Sequence, residues 1–533
     1  MIPDLILICQ SNIVDAEAIS KLPLDRLDMF STLVYPRMVR HRDRFMGHLD
    51  LIDDACGRPA YADADYVQRR QALNIWHLPS MGGAHLANLL AADGLNVALI
   101  NNIDSEWDRF AALYASCSRP PLVGLSTTFY LTPKQVAHIA KMLLRLDPEM
   151  EIVAGGAFIN SLADRGLDKV EGLMRRSGLT YALHAFNSEP DLRAMLLARK
   201  AGVSITDIPN LCILKRGGFT TTGSRWNEPL LGEVPALWDK LDLPFLNRTI
   251  QIRTAAGCPF SCAFCSYPTT ARSWQTLDAD LVRTHLDAIS RMPGVRQIIF
   301  IDDTFNVPRE RFKALLQIFC EYDFEWYSFL RVQFVDDEIV RLMKQSGCCG
   351  VYLGIESASD TVLANMNKKA TSADFARGIE LLAKHGIASL AAFVLGFPGE
   401  TDETLEENIR FIEKYPIDYY SLKEFFYMEN TKVHADREKW RLTGGGANWT
   451  HATMDYQTAS QRKLEMFRTI RNRLFIDPDT SLWYLAYLRD QGLSNEGIRT
   501  IQGEINTIMR DQLDGRFEIA PERLTSIREA AQR

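Results

Sequence analysis

At 533 residues, 47% hydrophobic and with a net charge of −7, the chain is long enough for several domains that each bury a core. The mild acidity excludes a protein that grips nucleic acid through a general basic surface, and leaves room only for a local groove. No apolar run is long enough to span a membrane, and ten cysteines in so long a chain are too few for a disulfide scaffold.

In chain order, Met1 to Cys9 is a short apolar run with no basic leader, which reads as a strand and not a signal peptide. With thiols that need a reducing compartment, this sets a cytoplasmic expectation. Up to residue 70, Arg37, Arg40, Arg42, Arg44, Asp43 and Asp50 surround short apolar stretches, which predicts an irregular N-terminal extension (1–70) with one helix. From 71 to 200 strands and helices alternate. Leu73–Trp76, Val97–Ile100, Leu122–Ser126 and Glu151–Ala154 are strand candidates, and Met81–Asp93 and Pro133–Leu146 have helical period. Strands that are apolar on both faces imply a parallel, doubly wound sheet that binds ligands at its carboxyl edge. Residues 201–245 read as a linker rich in Pro and Gly, with a hairpin turn at Lys215–Gly218.

A second alternating series starts near Thr249. Its strand candidates are Thr249–Thr254, Gln297–Ile301, Trp326–Leu330, Gly350–Ile355, Ala388–Val394 and Tyr419–Lys423, separated by helices. Six such units over 246–440 predict a partial TIM-like barrel. Beyond 440 the strand pattern fades, and Ser460–Leu474 and Glu496–Leu513 predict a helical cap over 441–533.

Gly257-Cys258-Pro259-Phe260-Ser261-Cys262-Ala263-Phe264-Cys265 follows the first barrel strand, with spacing C-x3-C-x2-C. Three thiolates on one short loop can reach three corners of an iron–sulfur cube. Zinc normally takes four ligands, often in paired C-x2-C units, and no second pair exists here. The other seven cysteines read as buried hydrophobes.

The triad, with aromatic Phe264 before its last cysteine, resembles that of the radical S-adenosylmethionine (SAM) superfamily. The resemblance implies a [4Fe–4S] cluster whose open iron chelates SAM, whose reductive cleavage normally gives a 5′-deoxyadenosyl radical. It also implies contact of Phe264 with adenine. Ile301-Asp302-Asp303-Thr304 resembles the second-strand end of family members with a B12-binding domain, which implies polar contact of Asp302 and Asp303 with the SAM amino group. Gly354-Ile355-Glu356-Ser357 resembles the segment near the ribose, and Lys368 follows a Leu363-x-x-Met366 pattern typical of the family. Gly396-Phe397-Pro398-Gly399-Glu400 closes the fifth strand, where glycine allows close approach to the cofactor. Arg331 could pair with a carboxylate of SAM or substrate. Trp326, Tyr327, Tyr352, Glu424, Tyr427 and Glu429, at or beyond later strand ends, are weaker substrate candidates.

The first half resembles the B12-binding domain of the same proteins, which implies that Ser126, Thr127, Gly155 and Gly156 line cobalamin. Two departures stand. No Asp-x-His-x-x-Gly offers a cobalt ligand, and Ala185-Phe186-Asn187-Ser188-Glu189 replaces a glycine-rich loop. His77 and His85 sit near the first βα loop, as core or cofactor residues. With cobalamin, the resemblance implies methyl transfer to an unactivated carbon or phosphinate of a small molecule, with a flavodoxin or ferredoxin as electron donor. Without it, rearrangement, dehydration, C–S bond formation or aminocarboxypropyl transfer remain open. So does an inactive cluster-bearing sensor.

Overall fold

The computed structural model describes residues 2–12, 38–59, 66–130, 132–476 and 481–532. Parts of the predicted N-terminal extension, including Arg37, lie outside them. The chain forms two compact units.

In chain order the first strands are β1 (Leu5–Gln10) and a hairpin of β2 (Met38–His41) and β3 (Arg44–Gly47). Then come β4 (Val97–Asn102), β5 (Leu122–Ser126), β6 (Ile152–Gly155), β7 (Tyr181–Leu183), β8 (Leu211–Lys215) and β9 (Gly218–Thr221). The first unit is built on a sheet of order β4-β1-β5-β6-β7-β8-β9, parallel through β7 and antiparallel at β8 and β9. The first five of these strands run in the doubly wound order 2-1-3-4-5, whose switch point lies between β1 and β5. β1 is buried along its whole length, as a central parallel strand must be.

Three expectations change here. The boundary at 70 fails, because β1 pairs with β4 and β5 and so belongs to this sheet. The linker shrinks, because β8 and β9 extend the sheet around the Lys215–Gly218 turn. Leu73–Trp76 is no strand: a short 3₁₀ turn spans Ile75–His77.

The second unit holds β10 (Thr249–Ile252), a small ribbon of β11 (Ala255–Ala256) and β12 (Gln275–Thr276), β13 (Gln297–Phe300), β14 (Glu325–Leu330), β15 (Cys348–Glu356), β16 (Ala388–Leu395) and β17 (Tyr419–Glu424). A hairpin of β18 (Thr443–Gly445) and β19 (Asn448–Thr450) follows, then β20 (Leu474–Phe475). The all-parallel order is β10-β13-β14-β15-β16-β17-β20, the partial barrel expected, with a seventh short strand. The strand pattern therefore does not end at 440. The predicted Ser460–Leu474 helix instead runs Tyr456–Thr469, because Asp455 caps it by accepting from the Thr458 amide at 2.7 Å.

The C-terminal helices do more than cap. Helix Ser481–Asp490 lies against β10, β13, β14 and β15. Trp483 Nε1 donates to Gln251 Oε1 at 2.5 Å, and Gln297 Nε2 donates to the Ala486 carbonyl at 2.8 Å. It carries apolar residues all round, as a helix buried on every side must. Residues 38–55 also join this unit, with Gln512 bracing β2 by a reciprocal pair of bonds to the Arg40 backbone.

Candidate active site

The cysteine loop leaves β11 at Gly257, where φ is +85° and a Cβ would lie 1.9 Å from the Ser273 carbonyl oxygen. Only glycine fits there. The loop is then tied down from two distant segments. The Ala263 amide donates to the Met366 carbonyl at 2.8 Å, Asn367 Nδ2 donates to the Ser261 carbonyl at 2.8 Å, and the Val433 amide donates to the Ala263 carbonyl at 2.9 Å. Cys258 Sγ lies 3.1 Å from Thr304 Oγ1. Burial pushes the Cys265 thiol up to about 11, and the charges of Cys262 and Cys258 add to the shift. The three sulfurs are thus within electrostatic reach of one another. Yet among the described residues no three His, Cys, Asp or Glu side chains converge as ligands of one ion. Three thiols on one short loop suit a multi-iron cube, with one iron per sulfur.

The strand ends around this loop divide into closed and open positions. Asp302 is fully buried and accepts from the Thr254 amide at 2.6 Å and the Thr254 hydroxyl at 2.5 Å. Burial raises its pKa to about 6. It ties the segment after β13 to the end of β10. Its neighbour Asp303 is exposed, with the Tyr267 hydroxyl and the Arg253 charge beside it.

Glu356 ends β15 with φ at +66°, beyond a break in the β15–β16 register. Such an irregularity re-aims a side chain, and here the carboxylate meets Lys368 Nζ at 2.8 Å. Gly354 makes room for the pair: a Cβ there would lie 2.7 Å from Glu356 Oε1 and 3.2 Å from Lys368 Nζ. Ser357 is buried, with its hydroxyl between the Ser359 amide and Asn408.

Gly396 sits in close quarters. Its φ is +81°, and a Cβ would meet Trp449 at 2.5 Å and Ala459 at 2.8 Å. The glycine makes room for the Trp449 ring. Glu400 turns back to accept from the Gly396 amide, and His451 Nε2 lies 3.0 Å from the Gly396 carbonyl oxygen. Phe264 is half-buried and meets Phe397 edge-on at 6.3 Å, which leaves it able to face a planar group.

Arg331 is spent within the protein. Its guanidinium stacks 3.8 Å above Phe260, donates to the Lys368 carbonyl at 2.5 Å, and reaches Cys262 Sγ at 3.8 Å. Trp326 and Tyr327 are buried, Trp326 donating to the Ser346 carbonyl at 2.9 Å within an aromatic core. Tyr352 packs on Phe329, Glu424 pairs with Lys463, and Tyr427 bonds His434. Sequence reasoning missed Phe260, Thr254 and Asn367. An aromatic inside the triad was a visible signal for the first; only folding brings the other two in.

In the first unit, the carboxyl edge at the switch point carries Ser126 and Thr128, whose hydroxyls lie 3.3 Å apart. Exposed Phe129 lies beside them with its ring 5.2 Å from Trp76. Thr127 is buried, its hydroxyl donating to the Gly155 carbonyl at 2.9 Å. Gly156, at φ +108°, lets its backbone approach Thr127 and Thr128, whose amides would lie 3.2 and 3.1 Å from a Cβ. The Ala185–Glu189 loop is braced by reciprocal Asn187–Asn227 bonds of 2.9 Å and by Phe186 stacked on Trp226. His77 is a core residue, stacked 4.3 Å from Phe245 and 2.8 Å from Ser105 Oγ.

The Radical SAM superfamily profile matches residues 252–412. An uncharacterised methyltransferase of Pyrococcus horikoshii is 34% identical over 361 residues, 64% of this chain and 74% of the relative. The anaerobic magnesium-protoporphyrin IX monomethyl ester cyclase of Rubrivivax gelatinosus is 30% identical over 178 residues, 32% of each chain. Among solved structures, the radical SAM methyltransferase TsrM of Kitasatospora setae, with cobalamin and a [4Fe–4S] cluster, superposes with TM-score 0.55 at 15% identity over 82% of this chain and 75% of TsrM. The cobalamin-dependent SAM radical enzyme OxsB gives TM-score 0.56 at 14% identity over 85% of this chain and 76% of OxsB. The chain therefore belongs to the radical SAM superfamily, and its fold is similar to those of TsrM and OxsB.

Proposed function

We propose that this enzyme is a cobalamin-dependent radical SAM methyltransferase that acts on an unactivated carbon or phosphinate of a small molecule. In it, Cys258, Cys262 and Cys265 hold the [4Fe–4S] cluster. When bound, the cluster supplies the electron that breaks a C–S bond of SAM, and cobalamin supplies the methyl group. The observation that carries the reading is the cysteine loop, pinned by Met366, Asn367 and Val433 at the carboxyl end of the barrel. Around it, exposed Asp303 is placed to accept from the SAM amino group, Phe264 offers an aromatic face to adenine, and the Glu356–Lys368 pair sets the charge beside the loop.

The methyl-transfer part rests on the first unit and on the methyltransferase names of its relatives. The switch-point edge joins hydroxyls at Ser126 and Thr128 to an aromatic shelf of Phe129 and Trp76. That chemistry fits a corrin, whose flat face is apolar and whose rim carries amides. A second reading, an empty scaffold domain, is favoured by Ser188, whose hydroxyl would lie 3.4 Å from a Cβ on Gly155.

The test is anaerobic reconstitution of protein purified with hydroxocobalamin, followed by dithionite and SAM. The expected result is retained corrin absorbance and release of 5′-deoxyadenosine. Loss of the corrin on desalting would overturn the methyl-transfer reading, and release of no SAM fragment would overturn the enzymatic one.

A further inference from the structure

One charged side chain packed against the cysteine loop is not used by the reaction described above. Arg331 begins the turn after β14 and is 9% exposed. Its backbone is fixed by a reciprocal pair with Asn306: Asn306 Nδ2 donates to the Arg331 carbonyl at 2.9 Å, and the Arg331 amide donates to Asn306 Oδ1 at 3.1 Å. Its guanidinium carbon sits 3.8 Å from the centre of the Phe260 ring, which stacks in turn on Phe334 at 5.6 Å. One Nη donates to the Lys368 carbonyl, and the other points at Cys262 Sγ from 3.8 Å. With its amide turned so that the oxygen faces the guanidinium, Gln333 completes the cage, 3.1 Å from Nε. The neighbouring Lys368 is neutralised by Glu356, whereas no carboxylate is paired with Arg331 among the described residues. It is a rigid, uncompensated cation held against one sulfur of the loop.

We propose that Arg331 raises the reduction potential of the cluster by acting on the Cys262 thiolate, so that the cluster accepts its electron more readily. The proposal rests on the cluster assignment above. The cube with three thiolate ligands gains one negative charge when it takes one electron from a low-potential donor, such as a reduced flavoprotein or dithionite. A nearby cation stabilises the more negative state more, and an N–H donor to a ligand sulfur works in the same direction. Phe260 holds the guanidinium in the plane where both contacts form. Arg331 is on this account a positioning residue that acts through Cys262 and touches neither substrate nor SAM.

The test compares wild type, Arg331→Lys, Arg331→Met and Phe260→Leu as full-length, anaerobically reconstituted protein. Iron and sulfide content and the midpoint potential, from an EPR-monitored titration, are read for each. Arg331→Met is expected to keep four irons and shift the midpoint to more negative potential, with Arg331→Lys between it and wild type. If Arg331→Met fails to hold iron, Phe260→Leu keeps the charge, loosens the cage and is expected to give a smaller negative shift. An unchanged midpoint in a four-iron Arg331→Met protein overturns the proposal and leaves the cluster assignment standing. So does an unchanged midpoint in both Phe260→Leu and Arg331→Lys. Wild type without a four-iron signal overturns the cluster assignment itself.

Discussion

The carboxyl edges of the two sheets are built by opposite means. In the barrel, the edge is closed by buried charge: Asp302 locked on Thr254, Glu356 paired with Lys368, Glu400 folded onto Gly396, and Arg331 caged against Cys262. In the first unit, the edge is an open shelf of hydroxyls beside an exposed phenylalanine. A reactive cluster needs ligands fixed by surroundings that cannot relax, and buried polar networks supply that rigidity. A large, amide-rimmed ligand needs area and hydrogen-bonding groups, which a switch point offers without a rigid cage.

The largest expected effects fall on the barrel. Cys262→Ala should abolish the visible cluster absorbance and all SAM cleavage, and persistence of the chromophore would break the ligand assignment. Gly257→Ala should do nearly as much through geometry alone, since the new Cβ has no room beside the Ser273 carbonyl. Its readout is iron content, and a normal iron count would show that the loop adapts. Lys368→Met leaves the half-buried Glu356 unpaired and should cost about 2 kcal/mol of barrel stability. That cost is read as a lowered denaturation midpoint, and an unchanged midpoint would mean that Glu356 finds water or another partner.

pH separates the two edges next. Burial lowers His77 to about 4 from 6.5, so the unfolded first unit binds more protons in that window. Its stability should be full above 6.5 and fall as pH drops towards 4, by at most about 3 kcal/mol. Burial raises Glu400 to about 8 from 4.5, so the folded barrel binds more protons there and its stability should fall as pH rises through that range. Hydrogen exchange followed separately in peptides around His77 and Glu400 checks both signs, and His77→Gln and Glu400→Gln should flatten the respective profiles. Identical pH slopes in the two regions would erase the contrast. The smallest effect is expected at the shelf: Phe129→Ala should weaken corrin retention several-fold, about 1 kcal/mol, without touching iron content.

Much of the fold was legible because central parallel strands are buried on both faces and read as continuous apolar runs, as β5 and β13 do. What escaped has physical reasons. β1 was readable as a strand, but its pairing with β4 and β5 is long-range and leaves no local mark. β20 has two residues, too few for any period. At the site, sequence located the charged strand ends without telling their sides. Asp302 and Asp303 are adjacent but lie past the end of β13, where no strand period says which side chain is sealed; one is locked on Thr254 and the other is open. Arg331 was singled out for a carboxylate. Its partners in the structure, Phe260, Cys262 and Lys368, arrive from elsewhere in the chain.

The central claim is the cluster on the three-cysteine loop, and the most direct measurement is EPR of the reduced, reconstituted protein with and without SAM. The account expects the signal of a reduced four-iron cluster that changes shape when SAM is added and is absent from Cys262→Ala. A protein without that signal, or one whose signal SAM leaves unchanged, would contradict it.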